Sequence, residues 1–251
     1  MSNMKAMVFA AGYGERLRPL TNKLPKALIP VAGRPMIEYP LLLLRHYGIE
    51  EIIVNVHHLG AMIEDYLQDG GRLGLKIRYS REKELLDTGG GLLRARAFLE
   101  NDSFIVINSD VIIDLPLQAV VDQHRKSRAA ATLVLRRDAE AGRYGAIQIS
   151  ADGRVWKFLN HQAPSSGGAG NLTKLMFTGV QVLEPKVFEY MASENSLRFS
   201  TTKTTYPKIL TQGENLCGFL FEGFWQDLGT VERIREAEKK LASGEVKLHY
   251  L

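Results

Sequence analysis

Two glycines, an arginine and a lysine at short spacing behind an apolar run carry the strongest chemical signal in this chain of 251 residues. Met7-Val8-Phe9 empties into Ala10-Ala11-Gly12-Tyr13-Gly14-Glu15-Arg16-Leu17, and Pro25-Lys26-Ala27-Leu28 follows. Gly12 and Gly14 have no side chain, so backbone N–H groups there can converge on phosphate oxygens as an anion nest. Arg16 and Lys26 add fixed positive charge, and the stretch reads as a grip for a polyphosphate. It is neither of two well-known phosphate loops. Leu17 stands where a dinucleotide fingerprint has its third glycine, and the Gly-Lys-Ser/Thr of a Walker A loop is absent. On these residues alone a plain tight turn is the competing reading.

Two carboxylates are placed to serve such a loop. Asp110 comes shortly after the apolar run Phe104-Ile105-Val106-Ile107, and Asp227 sits between Trp225 and a helix start. Mg²⁺ favours one or two carboxylates together with phosphates and waters, so this pair suits it, although each Asp alone reads equally as a cap or turn residue. Asp114, before Leu115-Pro116, is such a turn or helix-start residue. His57-His58 invites a metal reading, but neighbours at a strand end should point to opposite sides, and no Cys or third His lies nearby.

The elements that must hold these groups follow from periodicity. Strand-like runs at 6–10, 52–56, 75–79 and 104–108 alternate with amphipathic stretches at 36–47, 60–67 and 91–99. Alternation of this kind predicts a mainly parallel sheet with helices on both faces, and ligands beyond the strand C-termini, where the glycine loop and Asp110 fall. Pro35 reads as an early helical residue and Gly48 as the left-handed stop of the 36–47 helix. Beyond residue 130 strands dominate: 131–137, 145–149, 155–159 and 175–183, with Asp152-Gly153 a hairpin signal. A closing helix spans 230–241, with Thr230 as N-cap and Gly244 past its end. The stretch Ala163-Pro164-Ser165-Ser166-Gly167-Gly168-Ala169-Gly170-Asn171 reads as a surface loop, with a lid as the alternative.

In order along the chain, Gly12-x-Gly14-x-Arg16-Leu17-x-Pro19-Leu20-Thr21, Pro25-Lys26-Ala27-Leu28, Val31-Ala32-Gly33-Arg34-Pro35-Met36, Thr88-Gly89-Gly90-Gly91, Asn108-Ser109-Asp110-Val111, Phe177-Thr178-Gly179 and Trp225-Gln226-Asp227-Leu228-Gly229-Thr230 closely resemble the sugar-1-phosphate nucleotidylyltransferases. The resemblance covers nearly the whole chain. Through Thr88-Gly89-Gly90-Gly91 and Val231-Glu232-Arg233 it is nearest in look to the N-acetylmuramate-1-phosphate uridylyltransferase and mannose-1-phosphate guanylyltransferase branches. It implies a three-layer α/β/α Rossmann-like nucleotidyltransferase fold, with a mainly parallel mixed central sheet and a β-rich sugar-side half. Residues 1–251 would form a single nucleotidyltransferase domain without an appended β-helix.

The implied activity is Mg²⁺-dependent transfer of a nucleotidyl group from a nucleoside triphosphate, UTP or GTP, to a sugar 1-phosphate. The products are an NDP-sugar of the kind that feeds cell-envelope polysaccharide, and pyrophosphate. The resemblance assigns the metal to Asp110 and Asp227, and the phosphate chemistry to Arg16 and Lys26. Nucleotide contacts fall to Ala10, Ala11, Gly12, Gly14, Glu84, Gly89 and Gly90, and the sugar to Asn108, Thr178 and Gly179. A Glu84 carboxylate only accepts hydrogen bonds, which suits uracil N3–H or the donor edge of guanine. Many relatives carry Glu-Lys-Pro where this chain reads Asn160-His161-Gln162, so the usual sugar contact is altered and the sugar stays open.

Composition sets the remaining bounds. A chain that is 45% hydrophobic can bury one substantial core, and its apolar runs are too short to cross a bilayer. With no signal-peptide layout, a cytoplasmic protein without membrane partners is expected. The single cysteine, Cys217, excludes an intrachain disulfide and reads as a packing residue. The net charge of +4 comes without a basic run, which argues against nucleic acid as a partner and suits polyanionic small substrates. The oligomeric state is open, a homo-oligomer included. Two alternatives stand beside the enzyme reading: a catalytically silent nucleotide-sugar-binding regulatory subunit of the same fold, and a dinucleotide oxidoreductase, which Leu17 disfavours.

Overall fold

Ala6, Met7 and Val8 are wholly buried, as a strand covered on both faces requires. In the computed structural model, which describes residues 4–138, 146–164, 171–191 and 196–251, they form β1 (Lys5–Phe9). The chain divides into two compact units. The first takes residues up to Leu85, Val106–Leu115 and Gly223–Leu251, and the second takes Leu86–Ile105 and Pro116–Glu222.

In the first unit a short hairpin, β2 (Pro30–Val31) with β3 (Arg34–Pro35), leads into α1 (Glu38–His46). Ala32 and Gly33 at its tip have φ of 48° and 78°, the doubly left-handed turn that two-residue hairpins favour. Pro35 is therefore a strand residue, where helical spacing predicts an early helical one, and α1 starts only at Glu38. The helix buries Tyr39 and Leu41 to Leu44 and stops at Gly48, φ 73°, as expected. Next come β4 (Glu51–Val56), α2 (Gly60–Leu67) and β5 (Lys76–Arg81). β4 pairs in parallel with β1 on one side and β5 on the other, with α2 packed on β4 and β5. β6 (Phe104–Asn108), whose last three residues belong to this unit, neighbours β1. β7 (Val111–Ile113) pairs antiparallel with a strand near the far end of the chain, Trp225–Asp227 (β14 in chain order). After that strand comes the closing helix, Val231–Ala242, capped by Thr230, whose hydroxyl accepts from Arg233 N–H at 3.4 Å.

The second unit opens with α3 (Asp87–Arg94) and α4 (Arg96–Leu99), so Gly89 to Gly91 lie inside a helix and not in a turn ahead of one. α5 (Leu117–Ser127) buries Leu117, Val120, Val121 and His124, a one-sided helical spacing, against β8 (Ala131–Arg136). β9 (Ile147–Ile149) and β10 (Val155–Phe158) form the hairpin expected at Asp152-Gly153, with Gly153 at φ 86°. β11 (His161–Gln162) folds back on β10, a second hairpin that periodicity does not reveal. The long β12 (Thr173–Leu183) pairs antiparallel with β8 and β9. Helices α6 (Val187–Met191) and α7 (Tyr206–Thr211) follow, then β13 (Leu216–Leu220), parallel to β8. Of the glycine-rich loop at 163–171, residues 165–170 lie outside the described residues. Among the described residues no helix is long and apolar enough to cross a membrane. The closing helix of the first unit is α8, and the strand before it β14.

Candidate active site

The loop after β1 is tied at its first residue. Ala10 N–H donates to Asn55 Oδ1 at 2.8 Å, and Asn55 Nδ2 donates to Glu82 Oε1 at 2.8 Å. Asn55 and Glu82 are buried at 3% and 6% exposure, so this is a desolvated polar support for the point where the strand becomes loop. Gly14 is required there: its φ is 66°, and a Cβ would lie 2.8 Å from Thr21 Cγ2 and 3.0 Å from Lys26 Cβ. Gly12 differs, since a Cβ there would meet nothing within 4 Å. The protein's own packing does not need that glycine. Leu17 is wholly buried as the apolar member of a single 3-10 turn, Glu15–Leu17.

The acids come to the same region through strand pairing. Ser109 N–H donates to the Phe9 carbonyl at 3.0 Å, setting the end of β6 beside the end of β1. Val111 is paired with Asp227 across β7 and β14, and Leu228 N–H donates to the Asp110 carbonyl at 2.9 Å. Asp110 and Asp227 are thus neighbours across two strands although they are far apart in sequence. Lys26 Nζ forms a short ion pair with Asp110 Oδ2. Asp227 Oδ1 accepts from Gly229 N–H and from Arg233 Nη1, each at 2.7 Å. A Cβ on Gly229 would lie 2.5 Å from Arg16 Nη2 and 2.6 Å from Asp227 Oδ1, so the absent side chain leaves room for the Arg16 guanidinium near the acid.

Whether this donor set fits a divalent cation can be judged from its free oxygens. Among the described residues Asp110 Oδ1 and Asp227 Oδ2 have no protein partner, and both side chains are 22% exposed. Two hard carboxylate oxygens on half-buried side chains match what Mg²⁺ takes from proteins. Among the described residues no group of three or more His, Cys, Asp or Glu is placed to hold a metal by itself. The remaining ligands would have to be phosphates and water.

The other expected residues are distributed as follows. Asn108 is the half-buried last residue of β6, and Glu84 lies exposed in the bend after β5, both in the first unit. Gly89, Gly90, Thr178 and Gly179 belong to the second unit. There the glycines' small size has a packing cause: a Cβ on Gly89 would lie 2.2 Å from Phe199 Cε2, and one on Gly90 1.9 Å from the Leu197 carbonyl oxygen. Thr178 is buried and donates to the Val134 carbonyl at 2.8 Å, next to Gly179 at φ 87°. His57 and His58 do not diverge. β4 ends at Val56, so strand alternation has stopped, and both rings lie 5.4 Å from the Tyr13 ring. Asn55, Glu82 and Arg233 are contacts that sequence reasoning missed. A polar residue inside the apolar run of β4 was the one visible signal for Asn55.

With this geometry in hand, comparisons identify the architecture. Residues 5–244 match the family model described as nucleotidyl transferase. The UTP–glucose-1-phosphate uridylyltransferase of Synechocystis sp. is 32% identical, over 97% of this chain and 65% of its own length. The N-acetylmuramate alpha-1-phosphate uridylyltransferase of Neisseria meningitidis serogroup B is 34% identical, over 94% of this chain and 97% of its own. The chain therefore spans just under two thirds of the first relative and nearly all of the second. Among solved structures, a Bacillus anthracis protein named as a glucose-1-phosphate thymidylyltransferase superposes with a TM-score of 0.80 at 23% identity, covering 97% of this chain and 96% of that one. That likeness establishes the fold: the mainly parallel α/β sheet expected from the alternation of strands and helices, in the nucleotidyltransferase form that the motif resemblance implies.

Proposed function

The chain belongs to the nucleotidyl transferase family, and on that premise we propose that it transfers a nucleotidyl group from UTP or GTP to a sugar 1-phosphate. The observation that carries this reading is the meeting of Asp110 and Asp227 across β7 and β14, with Lys26 on one and Arg16 beside the other. A sugar-phosphate oxygen attacks the α-phosphorus, the bond from that phosphorus to the β-phosphate bridge oxygen breaks, and pyrophosphate leaves in line. Most of the catalysis is positioning and charge neutralisation.

Asp110 and Asp227 would hold Mg²⁺, which when bound supplies neutralisation of α- and β-phosphate oxygens. The amides around Gly12 and Gly14, with Ala10 and Ala11, receive the triphosphate. Arg16 offers a planar fork to the leaving pyrophosphate, and Lys26 a mobile charge to the α-phosphate and the incoming sugar phosphate. No strong general base is needed, because the attacking phosphate is already an anion. In this reading Glu84, Gly89 and Gly90 attend the base, Asn108, Thr178 and Gly179 attend the sugar, and residues 1–251 act as one domain in the cytoplasm.

The test is a matrix of four nucleoside triphosphates against a panel of sugar 1-phosphates with Mg²⁺ present, scored by pyrophosphate release and by the mass of the NDP-sugar. One triphosphate with one or a few sugar phosphates should stand out. Binding without turnover in every well would instead favour the silent regulatory subunit.

A further inference from the structure

No step of the proposed reaction uses His57 or His58, yet both reach the phosphate loop. The Glu82 carbonyl can only accept, so His57 Nδ1, 2.9 Å from it, carries a proton. In the neutral ring Nε2 is then an acceptor, and Tyr13 donates its hydroxyl to it across 3.0 Å. The same reasoning protonates His58 Nε2, which lies 3.0 Å from the Thr21 carbonyl oxygen. Thr21 closes the circuit. Its hydroxyl donates to the Gly14 carbonyl at 3.0 Å, while its methyl occupies the space a side chain on Gly14 would need. The loop is held at Tyr13 by one histidine and at Thr21 by the other, with the two glycines beside and between these anchors.

We propose that His57 and His58 are positioning residues for the triphosphate: they fix Tyr13 and Thr21 in the free protein, so that the Gly12 to Gly14 amides are set before the ligand arrives. The inference rests on reading this loop as the triphosphate grip. A preset loop loses less conformational freedom on binding, so the benefit falls on affinity. The hydrogen bonds and ring contacts that join the two histidines to the loop fall on Tyr13 and Thr21, and the chemical step should be little affected. The tautomers add a sharper expectation. His58 works through Nε2–H, which a glutamine amide can imitate in reach and donor character and an asparagine amide cannot.

The experiment uses the full chain and measures UTP and GTP binding by calorimetry with Mg²⁺, alongside kcat and KM. His58→Ala and Tyr13→Phe should each weaken triphosphate binding and raise its KM about five- to tenfold, the scale of one lost hydrogen bond. Their kcat should stay within about twofold of the parent, and His58→Gln should recover binding where His58→Asn does not. Parent-like binding by His58→Ala, equal losses for the Gln and Asn variants, or a fall in kcat at unchanged KM would each overturn the proposal while leaving the loop's role intact. A parent protein that binds no triphosphate would overturn the loop reading and this inference together. Should His58→Ala fail to fold, Tyr13→Phe decides the matter, since Tyr13 is 39% exposed and loses only a hydroxyl.

Discussion

Asp110 and Asp227 each keep one oxygen without a protein partner among the described residues, and those oxygens are what a catalytic cation needs. Asp110→Asn and Asp227→Asn should each lower turnover at least about a hundredfold with the fold intact, the scale of charge stabilisation an ion provides. Near-parent kcat at saturating Mg²⁺ in either variant would remove that residue from the metal site. Arg16→Lys keeps the charge and loses only the planar fork. It should reduce kcat more than it raises KM, because charge on the leaving pyrophosphate grows in the transition state; steady-state kinetics with the preferred triphosphate separates the two. Glu84→Gln addresses the base. A uridylyltransferase should tolerate it, whereas a guanylyltransferase would leave a guanine donor unpaired at about 1–3 kcal/mol, visible as a selective loss of kcat/KM for GTP. Values unchanged from the parent for every triphosphate would take Glu84 out of base recognition. The four charged candidate residues were conspicuous because each sits in a short motif whose chemistry is local. Asn55, Glu82 and Arg233 were not, since they act only through a contact made on folding: Ala10 to Asn55 spans 45 positions.

The strands and helices of the first unit were legible where a single period ran without interruption, as in β6, which spans the 104–108 expected of it. Errors came where a turn or packing outweighed the pattern. Pro35 suits a helix start by residue type, but the left-handed pair Ala32-Gly33 closes a hairpin that claims it first. Gly89 and Gly90 are turn formers by residue type, yet they lie within α3 with Phe199 and Leu197 packed over them. Nor does spacing disclose Glu38, a nearly fully buried acid in the first turn of α1. It accepts from Tyr66 at 2.7 Å and Arg72 at 2.6 Å on Oε1, and from Arg34 at 2.8 Å on Oε2, joining α1 to α2 and to the turn that follows it. Burial alone would raise its pKa, but the hydrogen bonds from Arg72, Tyr66 and Arg34 outweigh it and hold the carboxyl below the usual value. A lowered folded-state pKa gives stability that is present above the unfolded value and is lost as pH falls through the folded one. Glu38→Gln should therefore cost about 1–3 kcal/mol in urea unfolding at neutral pH, and the gap to the parent should narrow in acid below about pH 4. A gap that persists unchanged into acid would assign the cost to packing alone.

At the scale of the molecule, composition and family point to the same economy of charge. A net +4 without a basic run suits the proposed polyanionic substrates, which it would draw toward a candidate site whose cations are few and placed. What the whole chain adds to the loop is the return of its last segment: Asp227, Gly229 and Arg233 come back to the site from more than a hundred residues beyond Asp110. The family match and the fold were readable from motif order, while sugar and base identity were not, because they depend on a few pocket contacts and not on the scaffold. The central claim, nucleotidyl transfer centred on the two aspartates, is tested most directly by isotope exchange. Radiolabelled pyrophosphate is supplied with Mg²⁺ and each of a panel of NDP-sugars, and the label is followed into nucleoside triphosphate. The account predicts labelled UTP or GTP only with the matching NDP-sugar, dependent on Mg²⁺ and abolished by Asp110→Asn; exchange that survives that substitution, or no exchange with any NDP-sugar by a protein that binds triphosphate, would contradict it.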